Sequence, residues 1–466
     1  MKRLMAILMT VLMCAMMLPM VASAETYPTP AGYNDNDYQK LVAFFETEDE
    51  NGVKNGEKMI VDYDPTDPEM LRTVWSNVGG ELRATDINLG RAYGDTYTLS
   101  GVLDLSGCTE LRTLRCDNLG IEGLNISGCD KLVELSCRGN ALTEIDVTQN
   151  PQLSSFLCDD NALTEIDVTN NSKLGIFTCT GNALTELDIS ENTELFHLDC
   201  SDNELAELDM TNNPKLAFLY CSNNALTELD VAQLPTLAEL YCSGNALTEL
   251  DVTANPKLKY FHCSDNELTE LDVTNNPELG EFYCSGNKLT ELDVTNNPIL
   301  WALYCDNNDL TVIDATQNPD LEELYCNGNR LSDIRTESER IGANHVYANG
   351  NGFVEADIYI RIYNNYEEYE EYPEFAANAI PMEGNVFVGW YDAEGNLVSS
   401  EAELSLEYGT AYTLEARFEE SEAPTDPEPP TDPDDPPKTG AASVAGAAVM
   451  LAAAGASLMT FRKKQK

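Results

Sequence analysis

Cysteine recurs at positions 116, 137, 158, 179, 200, 221, 242, 263, 284, 305 and 326, a spacing of 21 residues held without an insertion. A beat that strict marks a solenoid, in which one short unit is stacked on copies of itself. A 21-residue rung has too few apolar groups to offset the entropy of ordering its backbone, so no rung folds alone. Stacking covers the edges of each rung and completes its hydrogen bonds.

The rung around Cys242 shows how the unit is built. It reads Leu237-x-x-Leu240-x-Cys242-x-x-Asn245-x-Leu247, then Leu250-Asp251-Val252-x-x-Asn255-Pro256-x-Leu258. Side chains alternate in an extended segment, so Leu240 and Cys242 point inward together while Glu239, Tyr241 and Ser243 point outward. The pattern resembles the conserved segment of leucine-rich repeats, with Cys where Leu is usual. Its nested ten- and eleven-residue halves are similar to the compact bacterial subclass, and internalins carry a slightly longer version. The resemblance spans residues 99–335 and implies a repeat solenoid with a parallel β-sheet. Residues 25–98 then read as a mixed α/β N-terminal cap, because the first rung of a solenoid must be covered.

Within that cap, Leu41, Phe44 and Phe45 have helical spacing over residues 36–47. Asp67-Pro68 predicts the start of a second short helix running through Met70, Leu71 and Trp75, with Trp75 in the cap core.

The residues that vary are the ones that face outward. Those before each Cys run Arg115, Ser136, Leu157, Thr178, Asp199, then Tyr220, Tyr241, His262, Tyr283, Tyr304 and Tyr325. Two residues earlier lie Phe218, Glu239, Tyr260, Glu281, Ala302 and Glu323, with Trp301 beside its strand. The resemblance places them on the concave sheet. Phe218, Tyr220, Tyr241, Tyr260, His262, Tyr283, Trp301, Tyr304 and Tyr325 are therefore the candidate ligand-binding residues. Aromatic side chains offer much contact area at little entropic cost. A stacked ladder that only strengthens the sheet is the competing reading.

The constant polar positions read differently. Asn140 through Asn329 fall where each strand turns, and Asn tolerates left-handed backbone and bonds turn amides. The Cys column reads as buried thiol. Parallel side chains in register would need distortion to bridge, and thirteen Cys outside the leader is an odd number. Cys108 and Cys129 are the best-placed pair if any bond forms. The Asp column from Asp146 to Asp314 and the Glu column beside it read as a solvated face. Loosely bound divalent cations are the alternative, and no other cofactor is implied.

The ends speak to location. Lys2 and Arg3, an apolar run from Leu4 to Met20 and the small-residue site Ala22-Ser23-Ala24 read as a signal peptide over 1–24. After the repeats, residues 336–352 read as a linker and 353–420 as a small C-terminal β domain. Val386 to Tyr391 and Thr413 to Phe418 resemble the B-repeat of internalins in a single copy, with Phe418 where that repeat closes on Trp. Residues 421–437, rich in Pro, Asp and Glu, form a solvated spacer.

Residues 438–466 hold Lys438-Thr439-Gly440, an Ala/Gly-rich run over 441–461 long enough to cross a membrane, and the basic tail Arg462-Lys-Lys-Gln-Lys466. This order resembles the sorting signal of Gram-positive wall-anchored proteins, with Pro436 where that family has Leu. It implies cleavage by sortase after Thr439 and linkage of Thr439 to peptidoglycan. A plain membrane anchor through 441–461 is the alternative.

The formal net charge is −53, and the six Lys/Arg of residues 1–24 and 440–466 face no Asp or Glu there. The rest is thus more acidic than the whole, which excludes nucleic acid as a partner. No Ser/His/Asp arrangement, phosphate loop or metal-ligand spacing points to an enzyme, and His197, His262 and His345 have no catalytic partner in sequence. The reading is an exported, cell-surface-anchored binding protein of a Gram-positive bacterium that recognises an extracellular protein or glycan. A passive spacer or coat is the alternative.

Overall fold

The computed structural model describes residues 27–90 and 97–331 and, from 333 to 420, the β-strands and residues 396–401. The leader, the acidic spacer, Thr439 and the 441–461 run lie outside the described residues. Among those described, no helix is long and apolar enough to cross a membrane.

Two compact units are present, one ending at Asn213 and the other beginning at Pro214. The first opens with helix α1 (Asp35–Phe45). Asn34 caps it by accepting from the Asp37 amide at 3.2 Å, and Tyr38, Leu41, Phe44 and Phe45 are buried. Asp37 is buried too. It takes a two-pronged contact from Arg83, at 2.7 and 3.2 Å, and a bond from the Ala84 amide at 3.1 Å. That pairing satisfies a charge which would otherwise be costly to bury. It ties α1 to a hairpin made of β1 (Thr73–Val78) and β2 (Glu81–Asn88), turned at Gly79-Gly80, both at positive φ.

The cap differs from the sequence expectation in two places. A helix α2 (Asn55–Met59) precedes the Asp67-Pro68 site, and Pro68–Leu71 forms only one 3₁₀ turn. Trp75 is not helical but sits in β1, half-buried, edge-on to Tyr33 at 5.0 Å. Thr73 and Val74 favour extended backbone, and the Gly-Gly turn lets the chain double back, which outweighs the weak helical spacing.

β2 then pairs in parallel with Thr113–Arg115 and starts the ladder. In the first unit the ladder continues through Glu134–Ser136, Ser155–Leu157, Ile176–Thr178 and His197–Asp199. In the second it runs through Phe218–Tyr220, Glu239–Tyr241, Tyr260–His262, Glu281–Tyr283, Ala302–Tyr304 and Glu323–Tyr325. Counting both units, the chain makes about eleven turns of a parallel leucine-rich-repeat solenoid. Within each unit the repeat strands from Thr113–Arg115 to His197–Asp199 and from Phe218–Tyr220 to Glu323–Tyr325 pair each residue with the one 21 positions on.

The second unit carries the ladder past residue 335. His345–Tyr347 pairs with Glu323–Tyr325, and Asp333–Thr336 with Val312–Ala315, inside and beside the span expected to be a linker. Two antiparallel three-stranded sheets follow. One joins Ala356–Arg361, Phe375–Pro381 and Glu403–Leu406; the other joins Leu397–Ser399, Asn385–Asp392 and Leu414–Glu420, with Trp390 buried.

The core is the column of inward residues. Leu237, Leu240, Cys242, Leu247, Val252 and Leu258 are all at 0 % exposure, and the same holds rung after rung. All thirteen described cysteines are free and buried, Cys108 and Cys129 included. Burial drives the thiols of the column upward, Cys129 and Cys242 to about 12 and Cys116, Cys158, Cys179, Cys263 and Cys305 well above their usual value, so they pack as small apolar groups.

Two asparagine columns close the turns. Asn245 donates to Cys221 O at 3.0 Å and Cys242 O at 3.1 Å and accepts from the Leu226 amide at 3.0 Å, joining two rungs with one amide. The later column does half as much. Asn255 donates to Val231 O and Leu234 O at 2.9 and 2.8 Å, while its Oδ1 is buried with no hydrogen-bond partner.

Between strand and Asn, each rung passes through one residue at positive φ, where Gly alternates almost strictly with Asn or Asp. Gly244, Asp265, Gly286, Asn307 and Gly328 are an example. Steric room explains the alternation. A Cβ at Gly286 would lie 2.3 Å from Asp265 Oδ1, and one at Gly328 would lie 2.4 Å from Asn307 Oδ1. At these steps the side chain of one rung occupies the place that its glycine successor leaves empty, and Asn223 after Asp202 is the one break in the alternation.

Candidate functional site

The outward residues of the second unit form one continuous stack. Ring centroids of Tyr220, Tyr241, His262, Tyr283, Tyr304 and Tyr325 follow each other at 4.7, 4.1, 4.1, 4.1 and 4.2 Å. Parallel register causes this: identical positions on neighbouring strands stand ~4.8 Å apart, close to the separation at which neighbouring aromatic rings pack. Every ring is half-buried. Tyr241, His262 and Tyr283 stack face to face, as do Tyr304 and Tyr325, whereas Tyr220 is tilted by 42° against Tyr241 and Tyr283 by 49° against Tyr304.

Carboxylates hold those tips. Tyr220 donates to Glu239 and Tyr304 to Glu323, and His262 Nε2 lies 3.1 Å from Glu281 Oε1. Each acid comes from the next rung, two residues ahead of that rung's own ring. Burial and the neighbouring acids push the Tyr241 and Tyr304 hydroxyls upward and Tyr283 to about 12. Burial holds the His262 imidazole below its usual 6.5, although Glu281 and Glu239 pull the other way.

Beside the stack runs the second outward row, paired in register as Phe218, Glu239, Tyr260, Glu281, Ala302, Glu323. Tyr260 is 37 % exposed, Phe218 is half-buried, and Ala302 is covered completely, so the row is discontinuous there. Trp301, 36 % exposed, lies over Gly280, whose missing side chain gives it room: a Cβ there would stand 3.3 Å from the indole.

All nine expected aromatic and imidazole residues therefore lie on one side of the second unit. The geometry adds that six of them stack on one another and that Tyr220, His262 and Tyr304 are tethered to carboxylates, which residue spacing alone does not reveal. Sequence reasoning missed a matching feature of the first unit. Phe196, 43 % exposed, lies over Gly175 as Trp301 lies over Gly280. It borders an open depression of about 780 Å³ shared with Arg115, Ser136, Ser155 and Ile176. The five-rung separation of the two Gly/aromatic pairs was the available signal.

The opposite face of the second unit carries a larger open depression of about 1590 Å³, lined by the Thr, Glu and Asp of successive rungs. The aspartates there cap turns. Asp251 Oδ1 accepts from the Thr253 amide at 2.9 Å and its hydroxyl at 2.6 Å, and Asp272 does the same for Thr274. These bonds hold both carboxyls below their usual 3.8. Among the described residues, no group of three His, Cys, Asp or Glu is arranged to hold a metal ion.

No protein-family model matches the chain, and no curated protein matches it. Solved structures do. The chain is similar to the functional domain of InlJ from Listeria monocytogenes, whose structure is described as including a cysteine ladder. The two are 27 % identical, with 66 % of this chain and 88 % of that one covered and a TM-score of 0.35. An internalin, inlF, from the same organism is 20 % identical over 50 % of this chain and 68 % of its own, with a TM-score of 0.43. The leucine-rich-repeat ectodomain of the Arabidopsis thaliana receptor kinase GASSHO1/SCHENGEN3, solved in complex with CASPARIAN STRIP INTEGRITY FACTOR 2, is 20 % identical. It covers 50 % of this chain and 35 % of its own, with a TM-score of 0.44.

Proposed function

We propose that this chain is a surface-anchored binding protein that recognises an extracellular protein through the ring edges of Tyr220 to Tyr325. The observation that carries it is the aromatic stack itself. It confines large half-buried rings to one side of one unit, while the inward Leu/Cys pattern that builds the fold is the same in both. Contiguous apolar surface rimmed by charge is the common anatomy of a protein-binding patch. Protein fits better than glycan. Sugar rings pack on aromatic faces, and here Tyr241, His262 and Tyr283 stack on one another at 4.1 Å and Tyr304 on Tyr325 at 4.2 Å, which takes up those faces. Thr439 is the proposed attachment point to the cell wall of a Gram-positive bacterium, with the acidic spacer holding the solenoid away from the surface.

One observation favours the second reading, a passive spacer. The same self-stacking, together with the bonds to Glu239, Glu281 and Glu323, strengthens the ladder without any ligand. The variant Tyr241→Ala, Tyr283→Ala, Tyr304→Ala separates the two. Binding of the full chain to cultured cells and to purified extracellular-matrix proteins is expected to fall at least about tenfold. Unchanged binding by a folded variant would leave the spacer reading.

A further inference from the structure

Each rung has a second extended stretch, on the face away from the aromatic stack, and its pairing is uneven. Val102–Asp104 pairs in parallel with Gly123–Asn125, and Val312–Ala315 with Asp333–Thr336. Between residues 228 and 293 the equivalent stretches of four successive rungs form no strand. Among the described residues, the amides of Glu249, Leu250 and Asp251, and those of Glu270, Leu271 and Asp272, donate no backbone hydrogen bond. The open depression of about 1590 Å³ lies over these stretches, and Leu229, Leu250, Leu271 and Leu292 beneath it keep 6–9 % exposure. Their counterparts beside the aromatic stack, Leu219, Leu240, Phe261 and Phe282, keep none.

Rung length is not what keeps this side open. In both closed steps the first side is paired too, Asp86–Asn88 with Thr113–Arg115 and Ala302–Tyr304 with Glu323–Tyr325. One step can therefore close on two sides at once.

Charge separates the two kinds of step. In the closed ones, register sets Val102 beside Gly123, Asp104 beside Asn125, Val312 beside Asp333 and Asp314 beside Arg335, so like charge never meets like. In the open steps Glu228, Glu249, Glu270 and Glu291 follow one another, and so do Asp230, Asp251, Asp272 and Asp293. No Lys or Arg lines the depression. The next step is open as well, and there Asp293 would meet Asp314. In the first unit the step from Gly123 to Glu144 is open without a like pair, and Gly123 brings no side chain to pack across it.

We infer that mutual repulsion of the two carboxylate columns holds this side open, and that screening or neutralising them closes it into a second parallel sheet. Like charges at facing strand positions oppose pairing. Closure would supply the missing ladder bonds and cover the four leucines. The two tendencies compete within every step, which makes this side a conformational device set by the ions around it. It is independent of the binding function proposed above.

Hydrogen exchange of the full chain, read by mass spectrometry, tests this in about 0.01 M and about 1 M sodium chloride, where charge reaches about 30 Å and about 3 Å. Exchange across residues 249–252 and 270–273 is expected to slow at least about tenfold at the higher salt, the mark of newly bonded amides. Glu239–Tyr241, already paired, should change little. The variant Glu249→Gln, Glu270→Gln, Glu291→Gln, Asp251→Asn, Asp272→Asn, Asp293→Asn should be protected at both salts. Asparagine keeps the turn, since Asn125 holds that position and accepts from the Ser127 amide at 3.1 Å and its hydroxyl at 2.8 Å.

Wild-type exchange in these stretches that salt does not move would overturn the inference, whatever the variant does. Equal slowing at Glu239–Tyr241 would mark general stabilisation and overturn it too. So would a variant with native exchange at Glu239–Tyr241 that still exchanges rapidly across 249–252 and 270–273, because rung geometry would then be what keeps the side open.

Discussion

The two asparagine columns look alike in sequence and differ in what they hold, which makes Asn266→Ala and Asn276→Ala an informative pair. Asn266 donates to the carbonyls of Cys242 and Cys263 at 3.0 and 3.1 Å and accepts from the Leu247 amide at 3.0 Å. Truncation orphans a buried N–H, at about 2 kcal/mol, and two carbonyls at about 1 kcal/mol each, near 4 kcal/mol in all. Asn276 is the more deeply buried of the two, at 0 % against 6 %. Yet it donates only to Val252 O and Asn255 O, at 3.0 and 2.8 Å, and its own Oδ1 has no partner. Removing it orphans two carbonyls but also discards an unsatisfied acceptor, leaving a cost of about 1 kcal/mol.

The chain contains a precedent: Cys108, Cys129 and Leu234 fill the later column, whereas every rung from Asn140 to Asn329 keeps Asn in the earlier one. Urea unfolding followed by circular dichroism should place Asn266→Ala well below Asn276→Ala in midpoint. A midpoint for Asn276→Ala equal to or lower than that of Asn266→Ala would refute the hydrogen-bond accounting.

Further expectations follow from the same geometry. In native protein at pH 8 none of the thirteen described cysteines should react with a thiol reagent, because all are buried and burial raises thiols such as Cys129 and Cys242 to about 12, and all should react once it is unfolded. A fast-reacting native thiol would contradict the buried column. Because His262 is held below 6.5 in the fold, its contribution is complete above that pH and falls as pH drops from 6.5 through the lowered folded value. The melting temperature of His262→Gln should therefore depend less on pH in that window, and identical slopes would refute this. Asp251 and Asp272, held below 3.8 by their turns, should weaken the fold only as pH drops beneath that value, so acid melting of Thr253→Val should lose part of this dependence. Gly286→Asn should destabilise, although Asn307 is accommodated one rung on, because Asp265 already fills the space. Equal stability would show that backbone torsion alone governs that column.

The solenoid was legible because its determinants are written eleven times: one inward pattern, one Cys beat, one Asn per turn. The cap was less so. Trp75 was misplaced in a helix because Pro68 does start a helical turn, but the strand beyond it depends on a Gly-Gly reversal and a partner strand in the ladder. The site residues could be named from spacing, since alternation fixes which side chains face outward. Their arrangement could not be. Whether Tyr241 shows its face or its edge depends on the rings above and below, and the carboxylate tethers reach across 19 residues of chain. The Gly/Asx alternation was visible in sequence, yet its cause is a contact of a few ångströms between consecutive turns.

That alternation has a bearing on how such a gene can grow or shrink. Losing a single 21-residue rung at Gly286 would set Asp265 directly beneath Asn307, a succession of two side chains that the described residues otherwise make only at Asp202 and Asn223, and would set Tyr260 next to Ala302, breaking the alternation of the Glu239 row. Losing a consecutive pair leaves both sequences of neighbours intact. Recombination between copies is thus expected to survive selection mainly in double steps, and relatives of different length should differ by even numbers of rungs.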